Sequence, residues 1–333
     1  MRLSMSLKTE DRVKLDFQMI MEADRSMMDQ LPEGAVDAII GNLPCFTTKK
    51  LFNLPGVYGD VARDHISMSG DLYIDIAFYA DQLIFTCQVE SLATMERTIL
   101  QLDNFDVDYI KFLRVGELRI ASFPRFCEED YVSDAQSFQG LLYILSNWRP
   151  SVDRTSQLQL ANITPNSEQK LAPLMDCIGI GFDEIVVIRS TGPVVHRFME
   201  QQVSYGTVKR VQLAESNIKP YEMGFQDAMI ELSQQPQMRQ FIAETINFDF
   251  VRRLAREWKH EMRFSGTNFS FTTSMNTWDK LRSQIDGMQQ GSPDEWFLST
   301  LKDDGTHEEL RFQFLNDETF VMRGTLRIYE IEY

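Results

Sequence analysis

Histidines are the side chains most often used for catalysis and metal binding near neutral pH, and their spacing in this chain matches no known motif. The four are His65, His196, His260 and His307. None stands in an HExxH or HxH pattern, and the chain has neither a GxSxG nucleophile elbow nor a Walker phosphate loop. We therefore expect no catalytic residues, no metal site and no cofactor, and interpret the protein as something other than an enzyme.

The glycine and cysteine patterns also fail to indicate a catalytic site. Gly179 and Gly181 precede the apolar run of CIGIGFDEIVVI, whereas a nucleotide-binding glycine loop follows a strand, so a turn at the end of a helix is the better interpretation. The cysteines are Cys45, Cys87, Cys127 and Cys177. No two are close enough for a CxxC metal or redox pair, which favours free thiols in a reducing compartment.

The charge of the chain restricts its partners. Its 33 Lys+Arg against 49 Asp+Glu give a formal net charge of −16, which repels the phosphate backbone of nucleic acids. Charged residues interrupt the first twenty positions, so no secretory signal is expected, and no apolar run is long enough for a membrane span. The sequence predicts an intracellular protein, cytoplasmic or nuclear, with neither nucleic acid nor membrane as its partner.

A short pattern recurs through the body of the chain. Two apolar residues flank one position and a small or polar residue follows, in LRIAS, LQLAN, VVIRS, VQLAE, QFIAE and FSFTT. The second apolar residues, taken as anchors, are Ile120, Leu160, Ile188, Leu213, Ile242 and Phe271. Amphipathic stretches such as Phe248 to His260 lie between them. The pattern predicts strand–helix units of about 25 to 30 residues.

Such units bury their apolar faces only by stacking, so we predict a continuous core under parallel strands, with helices on one face. The predicted fold is an α/β, irregular leucine-rich-repeat-like strand–helix solenoid, whose strand face is a candidate partner site. The alternative is a compact α/β domain with coincidentally regular spacing. Further predicted elements are a strand pair over 72–89, a helix over 90–102, and an antiparallel β cap from 296–302, 310–315 and 320–332.

The stretch LPEGAVDAIIGNLP, residues 31–44, begins a region that predicts three short helices. Pro32 suits the first turn of a helix whose apolar stripe includes Ile39 and Ile40, and Pro44 would end that helix. Thr47 or Thr48 could cap the second helix. The third is expected from 57 to 66.

These residues resemble an F-box, the three-helix module that binds the Skp adaptor of cullin ubiquitin ligases. The matching elements are Leu31-Pro32-Glu33, Ile39-Ile40, Leu43-Pro44 and Leu51-Phe52-x-Leu54. The stretch QPQMRQFIAETINFDFVRRLAREWKHE is similar to the strand–helix bodies of the large nematode F-box families. The resemblance implies a divergent, nematode-type F-box protein.

The resemblance also implies a function, a substrate-recruiting adaptor of an SCF-type ubiquitin ligase. The residues it assigns to Skp binding are Leu31, Pro32, Ile39, Ile40, Leu43, Pro44, Leu51 and Leu54. We expect a dispensable N-terminal extension (1–27), an F-box-like helical module (28–68) and a repeat body with a β cap (69–333) that holds an unknown protein substrate. The alternatives are a repeat scaffold without ligase association and an uncharacterised intracellular enzyme.

Overall fold

The computed structural model describes residues 31–79, 82–103, 106–125, 131–147, 155–163, 165–190, 192–214, 223–244, 248–261, 268–272, 283–292, 295–301, 307–314 and 319–327. The predicted extension over 1–27 and Cys127 lie outside these residues. The chain divides into two compact units. We call the first, Met1–Ser69 with Ser91–Thr94, the helical unit, and the second, Gly70–Glu90 with Met95–Tyr333, the sheet unit.

The helical unit contains the three predicted helices. They are α1 (Glu33–Ile40), α2 (Cys45–Lys50) and α3 (Val57–Met68), with a 3-10 turn at Leu51–Asn53. Two details of the prediction are wrong. Pro44 does not end α1 but immediately precedes α2, just as Pro32 precedes α1, and both prolines have the extended ψ of a residue outside a helix. Thr47 and Thr48 do not cap a helix, because both lie buried within α2.

The helical unit has a small hydrophobic core of its own. Its buried members are Val36, Ile40, Leu51, Val61 and Ala62, with Leu31, Leu43, Phe52, Leu54 and Tyr58 packed around them. Gly59 allows α3 to lie directly against the preceding loop, because a Cβ at this position would collide with the carbonyl oxygen of Leu54. Val36 and Ile40 lie four residues apart on one face of α1, and both are buried. This apolar face therefore packs against the core of the unit.

The described strands of the sheet unit form one continuous sheet. The first strands are β1 (Gly70–Tyr79), β2 (Gln82–Ser91), β3 (Arg97–Ile99), β4 (Leu113–Ala121), β5 (Gln157–Ala161), β6 (Glu184–Ile188) and β7 (Arg210–Ala214). The others are β8 (Gln240–Glu244), β9 (Asn268–Thr272), β10 (Gln289–Ser292), β11 (Glu295–Leu301), β12 (His307–Phe314) and β13 (Thr319–Arg327). Among the described residues their order is β10-β11-β12-β13-β9-β8-β7-β6-β5-β4-β1-β2-β3.

The middle of this sheet is parallel, and a helix follows each strand from β4 to β8. The strands β1 and β4 to β9 pair in parallel. The connecting helices are α4 (Ala135–Asn147), α5 (Pro165–Asp176), α6 (Pro193–Tyr205), α7 (Met223–Ser233) and α8 (Phe248–Glu261). The α/β class with a largely parallel sheet is therefore confirmed.

Side chains of the parallel strands form columns across the sheet. One column pairs Leu118 with Leu158, then Ile185, Val211, Phe241 and Phe269. All of them belong to one hydrophobic core that also holds buried residues of the helices, including Leu145 and Trp258. The helices described here therefore pack against one face of the parallel strands.

Two of the six anchors are out of register with the other four and lie on the face opposite the core. They are Ile188 and Ile242. Leu160 pairs with Val187, one residue before the first, and Leu213 pairs with Ala243, one residue after the second. Val187 and Ala243 are buried, whereas the two predicted anchors are only partly buried. Because side chains alternate along a strand, a shift of one residue moves a side chain to the opposite face.

The ends of the sheet were predicted with mixed success. The strand pair over 72–89 is present as β1 and β2, which are neighbours in the sheet. The C-terminal strands β11, β12 and β13 pair antiparallel, as expected. The predicted helix over 90–102 is wrong, because β2 continues to Ser91 and Arg97–Ile99 forms β3, antiparallel to β2. In the part of the chain that the structure describes, no helix has both the length and the hydrophobicity to span a membrane.

Candidate functional site

The residues that the resemblance assigns to Skp binding all lie in the helical unit, but their exposure differs. Pro32 and Ile39 are exposed, the latter at 40% of its surface. Ile40 and Leu51 are buried in the core of the unit. The remaining four, Leu31, Leu43, Pro44 and Leu54, are partly buried. The structure thus separates residues that can touch a partner directly from residues that hold the helices in position.

Three further large apolar side chains of this unit, Phe46, Val57 and Met68, face solvent, and the sequence pattern did not single them out. Phe46 is 70% exposed and Val57 is 46% exposed. The nitrogen of Lys50 lies 4.2 Å from the centre of the Phe46 ring, a cation–π contact. We call Pro32, Ile39, Phe46 and Val57 the exposed apolar set. The sequence carries no signal for the exposure of Phe46, because the structure buries Thr47 and Thr48 of the six-residue α2 instead.

A second candidate surface lies on the sheet unit, on the face of the parallel strands opposite the core. We call it the polar face. One row pairs Glu117, Gln157, Glu184, Arg210 and Gln240, and the next pairs Arg119, Gln159, Val186, Gln212 and Ile242. All except the buried Val186 are partly exposed. Parallel sheets usually carry apolar residues on both faces because helices cover both, so this polar composition is typical of a face that meets water or a partner.

A buried carboxylate organises the first strands of the polar face. The side chain of Asp75 is only 5% exposed. Its two oxygens accept hydrogen bonds from one Arg119 nitrogen at 2.8 and 3.0 Å. The same carboxylate accepts the backbone N–H of Arg125 at 3.1 Å and the hydroxyl of Tyr131 at 2.6 Å. With these donors and the ion pair to Arg119, the carboxylate is a structural anchor for the segment after β4 rather than a general base.

The guanidinium of Arg125 extends the same network across two strands. It donates to Glu117 at 2.5 Å and to the side-chain oxygen of Gln159 at 2.8 Å. The hydrogen bond to Glu117 is the main reason that the pKa of Arg125 is raised. Farther along the face, Arg210 pairs with Glu184 at 3.3 Å. The charges of the polar face are thus satisfied largely by one another, which leaves a surface of neutral hydrogen-bonding character.

Reactive groups elsewhere in the described residues are scattered. His65 is buried in α3, and its Nδ1 lies 3.0 Å from the hydroxyl of Ser69. His196 lies in α6, and His260 and His307 lie in α8 and β12. Burial raises the pKa of the Cys87 thiol far above its ordinary value, so this thiol stays protonated and poorly nucleophilic. The described residues contain no group of three or more His, Cys, Asp or Glu side chains suited to a metal ion.

The glycine pair lies where the sequence pattern indicated, away from any phosphate-binding arrangement. Gly179 and Gly181 stand between α5 and β6, and a Cβ at Gly181 would collide with Thr207.

No family model, curated protein or solved structure matches this chain. Both candidate surfaces, one apolar and one polar, are therefore interpreted from their own geometry.

Proposed function

We propose that the protein is a substrate-recruiting adaptor of an SCF-type ubiquitin ligase and that it performs no chemistry itself. In this proposal the helical unit is a divergent F-box that binds Skp, and the sheet unit holds a protein substrate. The ligase then transfers ubiquitin because the adaptor raises the effective concentration of the substrate at the enzyme. Of the alternatives, a repeat scaffold without ligase association would bind its partners through the repeat body, with the front helices serving only as a cap.

The exposed apolar set is the observation that carries this proposal. A short three-helix unit with its own core has little reason to present Phe46 and Ile39 to water, because burying a side chain of this size is worth about 1.5–3 kcal/mol. Large apolar and aromatic side chains at a surface are the usual anchors of a protein interface. Buried residues such as Ile40 and Leu51 then act indirectly, by fixing the helices that carry the set.

The regular construction of the sheet unit supports a role in holding a protein substrate. We propose that its parallel part is an irregular leucine-rich-repeat-like solenoid. The shared register of the strands supports this, as do the left-handed residues Asn162 and Arg189, each placed directly after a strand in consecutive units. Repeat proteins bind partners along the face of the sheet, and the amides of Gln159, Gln212 and Gln240 can bond to the backbone of another chain.

A matched pair of phenylalanine variants tests the proposal. Phe46→Ala, alone and combined with Ile39→Ala, removes members of the exposed apolar set. Phe123→Ala removes an equally large side chain, 59% exposed, from the sheet unit. Each full-length variant is mixed with purified Skp, and binding is measured by co-elution in gel filtration and by calorimetry. The circular dichroism spectrum of each variant controls for folding.

We expect the parent protein and Phe123→Ala to bind Skp equally, and Phe46→Ala to bind at least tenfold more weakly, as for a central interface residue. Replacing Leu31-Pro32 with Ala-Ala should also abolish binding. Leu31 is partly buried and Pro32 is exposed, so this loss would not separate packing from direct contact with Skp. A folded parent protein that does not bind Skp would refute the adaptor function and favour the scaffold. Equal loss in the two phenylalanine variants would refute the proposed surface.

A further inference from the structure

A cleft lies in the sheet unit between β2 and the start of α4. It has a volume of about 480 Å³. The residues that line it include Phe85, Thr86, Ile99, Leu102, Asp103 and Asp134. One wall is the short β3 and the residues that follow it, and Phe85 pairs with Val132 as an isolated bridge on another side. The cleft is distinct from the polar face and from the exposed apolar set.

The apolar lining of this cleft is partly open to solvent. Phe85 and Leu102 are buried in the core of the unit. Ile99 and Val132, in contrast, are 52% and 42% exposed, high values for side chains of this size. A cleft with exposed aliphatic residues can hold the hydrocarbon part of a long side chain and cover the residues beside it.

The charged side chains among the described residues of the cleft are all negative. Asp103 and Asp134 line it, and no lysine or arginine does. One oxygen of Asp134 accepts the backbone N–H of Ser137 at 2.8 Å and so caps α4, and this hydrogen bond is the main cause of a lowered pKa for Asp134. The carboxylate is therefore ionised at neutral pH, and it adds to the net negative charge of the whole chain.

A buried hydroxyl also belongs to the lining. Thr86 is only 2% exposed, and within the described residues its side-chain oxygen has no hydrogen-bond partner. A buried polar group without a partner destabilises the fold, so a ligand that supplies a donor near this position would recover part of that cost. Cys87 beside it supplies no covalent chemistry, because its thiol stays protonated.

We propose that this cleft binds a basic side chain, arginine or lysine, that a protein partner presents. The cation matches Asp103 and Asp134, and its aliphatic stem matches Ile99, Leu100 and Leu102. A protein source fits better than a free amine, because only flanking residues would cover the exposed Ile99 and Val132. The inference rests on the proposed function only in identifying this partner as the substrate, and it narrows the substrate class to proteins with an accessible basic segment.

Two peptides that differ in one charge test the proposal on the full-length protein. The first is acetyl-Gly-Leu-Arg-Leu-Gly-amide, and the second has neutral citrulline in place of arginine. Methyl NMR signals of Ile99 and Val132 report binding at the cleft. The test variants are Asp134→Asn, which keeps the capping oxygen, and Asp103→Asn/Asp134→Asn. The matched control is Asp106→Asn/Asp108→Asn, two exposed acids of the same unit outside the cleft, of which Asp106 also caps a short helix.

We expect the arginine peptide to shift both methyl signals and to bind about tenfold more tightly than the citrulline peptide. Asp134→Asn should weaken it about threefold, the double cleft variant more, and the control variant hardly at all, because ion pairs of exposed carboxylates add only modestly to affinity. Equal binding of the two peptides, equal loss in the control, or agmatine binding as tightly as the peptide would overturn the proposal. Skp binding is measured separately, so either proposal can fail alone.

Discussion

The register of the parallel sheet predicts opposite consequences for two isoleucines of the same strand. Ile185 is fully buried and pairs with Leu158 and Val211 in the core column. Ile188, three residues later, lies on the other face and is only partly buried. The perturbation is Ile→Ala at each position. The two variants change the same three carbon atoms in the same strand and differ only in the face from which these are removed.

The expected loss of stability follows from burial. Three carbon groups at about 0.8 kcal/mol each account for roughly 2.4 kcal/mol at a fully buried site. The cavity left in the core raises the expected loss for Ile185→Ala to about 3.5 kcal/mol. Ile188→Ala leaves no enclosed cavity and exposes less new surface, so its expected loss is about 1 kcal/mol.

Urea denaturation followed by tryptophan fluorescence measures the difference. All four tryptophans lie between residues 148 and 296, so the signal reports the sheet unit alone. The free energy of unfolding should fall by at least 2 kcal/mol more in Ile185→Ala than in Ile188→Ala, with the dependence on urea concentration unchanged. Equal losses, or a larger loss in Ile188→Ala, would refute the assignment of the two side chains to opposite faces of the sheet.

Two further predictions concern carboxylates of the sheet unit. Asp75→Asn should lower the free energy of unfolding by about 3 kcal/mol, because the side chain of Arg119, only 12% exposed, loses its charged partner. A loss below 1 kcal/mol in urea denaturation would contradict this. The lowered pKa of Asp134 means that its contribution is present above the ordinary value of 3.8 and is lost as the pH falls through its folded-state value. The parent protein should therefore melt at a higher temperature than Asp134→Asn, by a difference that is constant from pH 5 to 7 and shrinks below pH 4. A constant difference down to pH 2 would refute the lowered pKa of Asp134.

The architecture of both units was largely readable from the sequence. Apolar residues at helical spacing, interrupted by Pro44 and by Pro55-Gly56, were enough to predict three short helices. Alternating segments such as LQLAN, separated by amphipathic stretches, were enough to predict parallel strands joined by helices. In each case the local pattern agrees with the burial that the tertiary structure imposes.

The errors arise where local pattern and burial do not determine one answer. The strand from Ile185 to Ile188 is apolar at every position, so alternation gives no sign of which residues face the core. Only pairing with neighbouring strands decides it. The stretch 90–102 has apolar residues at spacings that suit a helix, but pairing of Arg97–Ile99 with β2 prevails over this preference.

The candidate sites were harder to predict than the fold. Asp75, Arg119 and Tyr131 are separated by up to 56 positions, and no local pattern links them. The cleft likewise combines residues from β2, β3 and the start of α4, so its single sign of charge is visible only in three dimensions. The exposure of Phe46 depends on which side of a six-residue helix is buried, which so short a segment does not reveal.

The uniform register of the parallel strands bears on how a chain of this kind can change length during evolution. Gln157, Glu184 and Arg210 occupy the same row in three consecutive strands. Removing residues 184–209, one strand and one helix, would join Asp183 to Arg210 and leave every side chain of β7 on its present face. Loss or duplication of a whole unit is therefore the indel that this fold accommodates best, whereas an insertion of one residue within a strand would invert that strand.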